Sequence, residues 1–154
     1  MRKLSLFIFV ILFGCSENME VQYFESEYKF SVILPNSWSE YELDDEENTN
    51  GFFDTSEWTG NLRITAVKSI FENPDDFLKT KQKETKAEIL NWEQVKGIYF
   101  SENSDNLYIY YWYLTENNRL YICSFTIDSE MENSEKNKNE LKKVEKILKT
   151  IKTK

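Results

Sequence analysis

The sequence predicts an α+β domain, an antiparallel β-sheet with helices packed on it, and three stretches carry that expectation. Leu107–Leu114 (LYIYYWYL) and Leu120–Ile127 (LYICSFTI) are dense in aromatic and β-branched residues and flank a polar TENNR break, so they read as an antiparallel hairpin. Tyr28–Leu34 alternates, with Phe30, Val32 and Leu34 on one side and Lys29 and Ser31 on the other, as a half-buried strand does. Leu141, Val144, Ile147, Leu148 and Ile151 recur at helical spacing, which closes the chain with an amphipathic helix laid on the sheet. Both faces of the hairpin are apolar, because Tyr108, Tyr110, Trp112 and Leu114 alternate with Leu107, Ile109, Tyr111 and Tyr113. One covered face would leave too many rings in water, so the hairpin is expected at the centre of the sheet with cover on each side.

The chain of 154 residues is one domain long, and its many aromatic residues with few Gly and Pro suit a compact core. Its formal charge of −8 becomes −10 once the two positive charges of Arg2 and Lys3 are removed with a leader. That balance excludes nucleic acid as a partner, since binding it requires a basic surface to neutralise phosphates. No histidine occurs. Imidazole triads, the usual zinc sites and imidazole general-base catalysis are therefore outside the reach of this chain.

Met1-Arg2-Lys3 is a positive start, Leu4–Phe13 is an apolar run too short to span a bilayer, and Gly14-Cys15 is followed at once by polar Ser16-Glu17-Asn18. Residues 1–14 thus read as a secretory signal peptide. Their end, Leu12-Phe13-Gly14-Cys15, resembles the lipobox of bacterial lipoproteins, with Phe13 departing from the small residue commonest in its slot. The resemblance implies cleavage before Cys15, a diacylglyceryl thioether on Cys15 and fatty acylation (palmitate) of the new amino terminus, so the membrane is an expected partner through this lipid anchor. Ser16 at the second mature position is compatible with sorting to the outer membrane of a bacterial cell envelope. Residues 15–27 are expected to be the lipidated cysteine and a short polar tether, and 28–152 a single domain.

Along the chain, Pro35-Asn36-Ser37 ends the first strand, because Pro has no donor for a ladder, and Trp38 folds back onto the core. Phe30-x-Val32-x-Leu34-Pro35-x-x-Trp38 resembles the opening strand of Mog1/PsbP-like domains, many of which occur in small bacterial lipoproteins. The later order is similar to theirs: an early hairpin, a helix, an aromatic hairpin and a C-terminal helix. That resemblance covers Tyr28 to Lys152, implies the fold, and carries no catalytic residue. Asp44–Asn50 is an acidic, Asn-rich loop, Gly51-Phe52-Phe53 begins a strand, Glu57–Asn61 is a turn and Leu62–Ile70 is a strand. The period then changes: Asn73 caps a helix, Pro74 opens it, Asp75 and Asp76 suit its positive end, and its apolar side runs from Phe77 and Leu78 to Ile89 and Leu90. Trp92–Phe100 is a strand weakened at Gly97, and Asp128–Asn139 is a polar stretch without periodicity.

Glu46-x-Asn48-x-Asn50-Gly51-Phe52-Phe53-Asp54-x-x-Glu57 resembles a calcium loop, with ligands at alternate positions, glycine sixth and glutamate twelfth. It lacks Asp at the first position and helices on either side to preset it, so it reads as a solvated acidic turn and no metal site is expected. Cys123 lies inside a strand with no base near it and reads as a small buried hydrophobe, not a nucleophile. The tyrosines of the hairpin offer stacking surfaces, but packing is the commoner use of such rings. Asp44, Asp45, Glu46 and Glu47 are adjacent on one loop and do not face each other across a substrate as a glycosidase pair does, so they read as charged surface. Lys142, Lys143, Lys146 and Lys149 form the polar face of the last helix, a solvated face or one that meets anionic headgroups.

No nucleophile stands beside a base, so the chain is expected not to be an enzyme and to need no cofactor. The expected function is that of a membrane-anchored lipoprotein acting as a non-enzymatic binding or accessory module in the bacterial envelope, with an envelope protein as partner. Two alternatives stay open. One is a lipoprotein that binds a small ligand (sugar, peptide or metal) in an aromatic pocket, and the other is an immunity-type lipoprotein that neutralises a toxin.

Overall fold

The structure, a computed structural model, describes residues 20–43, 47–67 and 73–154. The leader and Cys15 lie outside the described residues. In chain order the elements are β1 (Val21–Ser26), β2 (Phe30–Pro35), β3 (Trp38–Tyr41), β4 (Thr49–Asp54), β5 (Gly60–Ala66) and helix α1 (Pro74–Thr85). There follow β6 (Glu88–Asn91), β7 (Lys96–Ser104), β8 (Leu107–Glu116), β9 (Arg119–Asp128), a single 3₁₀ turn, helix α2 (Glu135–Leu148) and β10 (Lys152–Thr153).

The fold is α+β and antiparallel throughout, as the sequence predicts, but the strands form two sheets. A large one runs β3-β4-β5-β9-β8-β7-β6, and a small one runs β1-β2-β10. The small sheet and α2 together cover the inner face of the large sheet. Phe30, Val32 and Leu34 of β2 and Val144, Ile147 and Leu148 of α2 meet Phe52, Leu62, Ile64, Trp112, Leu114, Tyr121 and Phe125 in one core. Phe24 stands edge-on to Phe52 at 4.9 Å and Phe30 to Tyr121 at 5.7 Å, which stitches the two sheets together. On the outer face α1 forms a smaller cluster, Leu78 with Ala87, Ile98 and Leu120, and Phe77 stacks on Tyr113.

The aromatic hairpin is the β8–β9 pair, with β9 in the middle of the large sheet. Its break is tighter than the five residues expected: Glu116 pairs with Arg119, and Asn117 and Asn118 both take positive φ, the two-residue turn whose twist matches the strands. Cover over its two faces is unequal. Tyr110, Trp112 and Leu114 are buried on the inner side, whereas Ile109, Tyr111 and Tyr113 are half-buried on the outer.

Four expectations are corrected. The stretch read as tether contains β1, whose inward side chains are Gln22, Phe24 and Ser26. Two of those three are polar, so no apolar alternation marked the strand. The helix opening at Asn73 ends at Thr85, where Lys86 takes a left-handed cap, and Ile89 and Leu90 fall in edge strand β6. Trp92 to Val95 is then a tight turn, and Gly97 sits so close to the Tyr113 carbonyl and to Leu114 that no side chain fits. Finally, α2 begins at Glu135, inside the stretch read as aperiodic, with Ser134 as its N-cap. Its first turns bury Asn137 and Glu140, polar residues that continue backwards the phase of Val144 and Leu148.

Candidate functional site

Among the described residues, two groups of polar side chains bear on function. The first is where α2 crosses the end of β4. Asp54 is fully buried there, and its carboxylate accepts from Lys143 Nζ at 2.8 Å and from the Ser56 amide and hydroxyl at 2.9 and 2.7 Å. Burial works to raise the Asp54 carboxyl, but the Lys143 ammonium and the Ser56 donors outweigh it and hold it down at about 2. One turn earlier on the helix, the fully buried Glu140 accepts from the Thr59 amide at 2.7 Å and from the Thr59 hydroxyl, while its other oxygen has no partner among the described residues. Burial pushes the Glu140 carboxyl up, the Thr59 donors pull it partly back, and the charge of Asp54 adds to the rise. Asn137, a further turn back, donates to the Tyr110 hydroxyl at 2.9 Å and to the Glu132 carbonyl at 2.9 Å. Each of these side chains ties α2 to the sheet or to its own start. The arrangement is a clamp.

The second group lines an open recess of about 350 Å³ between the β1–β2 turn and the end of β3. Its walls are Glu27, Tyr28, Glu40, Tyr41 and Glu42. Lys29 closes the β1–β2 turn with a positive φ of 64°, the three-residue geometry that swings Glu27 and Tyr28 over the start of β4. The floor is Asn50, only 8% exposed, whose oxygen accepts from Ser26 Oγ at 2.6 Å and whose amide donates to Glu40 Oε1 at 2.7 Å. Asn50 thereby holds the Glu40 carboxylate at the recess and joins the small sheet to the large one. Burial raises the Tyr28 phenol above its ordinary value, and the Glu27 charge raises it further. Leu43 and Glu47 lead from this recess into the loop read as acidic; Asp44, Asp45 and Glu46 lie outside the described residues.

The residues considered as calcium ligands are not brought together. Glu46 lies outside the described residues, and Asn48 has a left-handed backbone at φ 61° before the strand starts. Asn50 and Asp54 sit at opposite ends of β4, committed to Glu40 and to Lys143, and Glu57 is on the surface 3.5 Å from Lys143. Extended strand geometry separates them by about 13 Å. Cys123 is fully buried opposite Trp112, and burial pushes its thiol up. The tyrosines of β8 pack tilted or edge-on against one another, and Tyr111 and Tyr110 stack on Phe100 and Phe125, as core rings do. Among the lysines of α2, Lys143 turns inward to Asp54, Lys149 lies over the Trp92 ring at 5.1 Å, and Lys142 and Lys146 are exposed.

The family model of a domain of unknown function, DUF3805, matches residues 18–154. This chain belongs to the DUF3805 family. The match begins ahead of β1, so β1 is part of the family domain. No curated protein matches the chain. Among solved structures it is similar to a crystal structure from Bacteroides thetaiotaomicron VPI-5482, with 25% identity and a TM-score of 0.69. The likeness covers 86% of this chain and 48% of that one, so the DUF3805 domain here spans about half the length of that protein. It is also similar to the solution structure of cyanobacterial PsbP from Synechocystis sp. PCC 6803, with 12% identity, a TM-score of 0.45, and coverage of 92% of this chain and 96% of that one.

Sequence reasoning did not find Glu27, Glu40 and Glu42 as neighbours, because they come from a tether and from a strand end that register alone brings together. For Glu140 of the DUF3805 domain a signal existed. Counting back four and seven positions from Val144 places Glu140 and Asn137 on the buried stripe.

Proposed function

We propose that this DUF3805 protein is a lipid-anchored module of the bacterial envelope that works by binding a protein through its acidic recess. The carrying observation is the recess itself, where three glutamates from two sheets are set around a buried Asn50 that is satisfied on both sides. A fixed cluster of negative charge beside an acidic loop attracts a basic surface, raising association rate more than it slows release. Catalysis has less support: Asp54 and Glu140 are committed to Lys143 and Thr59, and the Cys123 thiol is buried. No helix among the described residues is long and apolar enough to cross a membrane, so the envelope reading rests on the end of the apolar run at Cys15. A tether this short keeps the domain at high effective concentration beside its neighbours, and modest affinity then suffices.

The test pairs metabolic labelling with capture. A fatty-acid analogue should label the wild type and not Cys15→Ser. The lipidated protein should capture a protein from solubilised envelope, and Glu27→Lys with Glu42→Lys should slow that association by about tenfold while leaving release nearly unchanged. Capture indifferent to both reversals would reject the recess, and turnover of an ester, glycoside or phosphate substrate by the pure protein would reject the non-enzymatic reading.

A further inference from the structure

The outward side of the β1–β2 hairpin has the opposite character to the recess. Val21, Tyr23 and Ile33 are exposed by 58%, 59% and 41%, and the strand register brings Val21 against Pro35 and Tyr23 against Ile33. They make one apolar strip on a small sheet. The C-terminal turn of α2 lies along it, with the Ile33 amide donating to Thr150 Oγ1 at 2.8 Å. Two shallow recesses flank the strip and share Ile33 and Thr150. One, of about 230 Å³, is bordered by Lys143 and Lys146, and the other, of about 250 Å³, by Lys149 and Lys152.

We propose that this face seats on an anionic phospholipid leaflet, an inference that rests on the lipid-anchor reading of Cys15. Three observations favour a leaflet over a protein. The last fourteen residues, 141–154, hold six lysines and the single acid Glu145 in a chain whose net charge is −8, so positive charge is concentrated beside the strip. Lys146 and Lys152 have no partner among the described residues, Lys149 rests on the Trp92 ring, and Lys154 lies over the Tyr23 ring at 5.1 Å with Glu25 at 3.6 Å. Lysine ammonium groups held over aromatic rings beside exposed aliphatic tips are the chemistry of an interface, where the apolar body sits at the headgroup level and the ammonium can meet phosphate. The chain also enters β1 directly from the anchor. Cys15 to Val21 is six residues, about 20 Å at full extension, and Val21 is itself in the strip. Glu25 and Glu93 border the face and oppose the attraction, Glu25 being matched by Lys154.

The experiment uses the lipidated protein purified from membranes and placed in vesicles of zwitterionic phospholipid alone, or of the same lipid with phosphatidylglycerol. Flotation and trace acetylation of lysines, read by mass spectrometry, are measured on both, and the acetylation also on native membranes. The protein should float with both vesicle types. On the anionic ones alone, labelling of Lys146, Lys149 and Lys152 should slow by about fivefold, while Lys79 and Lys83 of α1 are unchanged and about 0.5 M salt restores the rate. Equal labelling on the two vesicle types would overturn the proposal, as would protection of the α1 lysines instead. Protection that appears only in native membranes would overturn it too, and would assign the face to an acidic protein. Flotation with anionic vesicles alone, lost in Lys146→Glu/Lys149→Glu/Lys152→Glu, would reject the anchor and retain the face. Flotation with neither vesicle would reject both.

Discussion

The two helices of this domain do different things for the same sheet. Helix α2 lies on the inner face and buries Val144, Ile147 and Leu148 along with Asn137 and Glu140, while α1 lies on the outer face and buries Pro74 and Leu78. The inner face is closed by a second sheet and by side chains that reach from the helix to the end of β4 and to the β4–β5 turn, Lys143 to Asp54 and Glu140 to Thr59. Among the described residues, α1 makes no such side-chain hydrogen bond or ion pair to a strand, and its ion pairs, Lys79 with Asp76 and Lys81 with Glu84, stay within its own surface. A helix can be joined to a fold by polar clamps over an apolar stripe or by a few apolar contacts alone. The first arrangement costs more to disturb, because buried charge cannot be relieved by water.

That difference sets an order of sensitivity. Ile147→Ala should be the most damaging change, losing about 4 kcal/mol, since its side chain is only 1% exposed within the main core and its loss leaves a cavity there. Denaturant unfolding checks it. Lys143→Met should lose about 3 kcal/mol by leaving the fully buried Asp54 without its counter-charge. If Lys143→Met together with Asp54→Ala recovers most of that loss, the clamp reading is sharpened. Leu78→Ala on α1 should lose about 2 kcal/mol, the low end for such a truncation, because its cluster is small and at the edge of cover. A loss equal to that of Ile147→Ala would show that α1 is held as firmly as α2.

The smallest effect concerns pH. The Glu140 carboxyl is raised in the fold by burial, so the native state holds its proton more tightly than the unfolded chain. Its contribution is complete below the ordinary value of 4.5 and is lost as pH rises through the raised value. The Asp54 carboxyl is lowered to about 2, so its contribution is present above 3.8 and is lost as pH falls toward about 2. Glu140→Gln should therefore gain on the wild type as pH rises from 4.5 toward neutrality, read by unfolding at a series of pH values. A difference constant across that range would place the burden of Glu140 in shape and not in charge.

The sequence alone determined the elements that local pattern encodes. Period-two runs placed β2, β8 and β9, the 3.6-residue stripe from Leu141 placed the body of α2, and Asn73-Pro74-Asp75-Asp76 placed the start of α1. Those signals depend on near neighbours, and apolar side chains on a covered face announce themselves. Everything else depended on partners distant along the chain. β1 is a strand because β2 supplies its ladder and Asn50 satisfies Ser26, although its inward residues are mostly polar. The start of α2 is buried because Thr59 and Tyr110 meet Glu140 and Asn137. The acidic recess and the lysine-bordered strip are likewise products of register. Each assembles residues from separate segments, and a hydrogen bond that makes a polar group buriable leaves no mark on the local pattern of either partner.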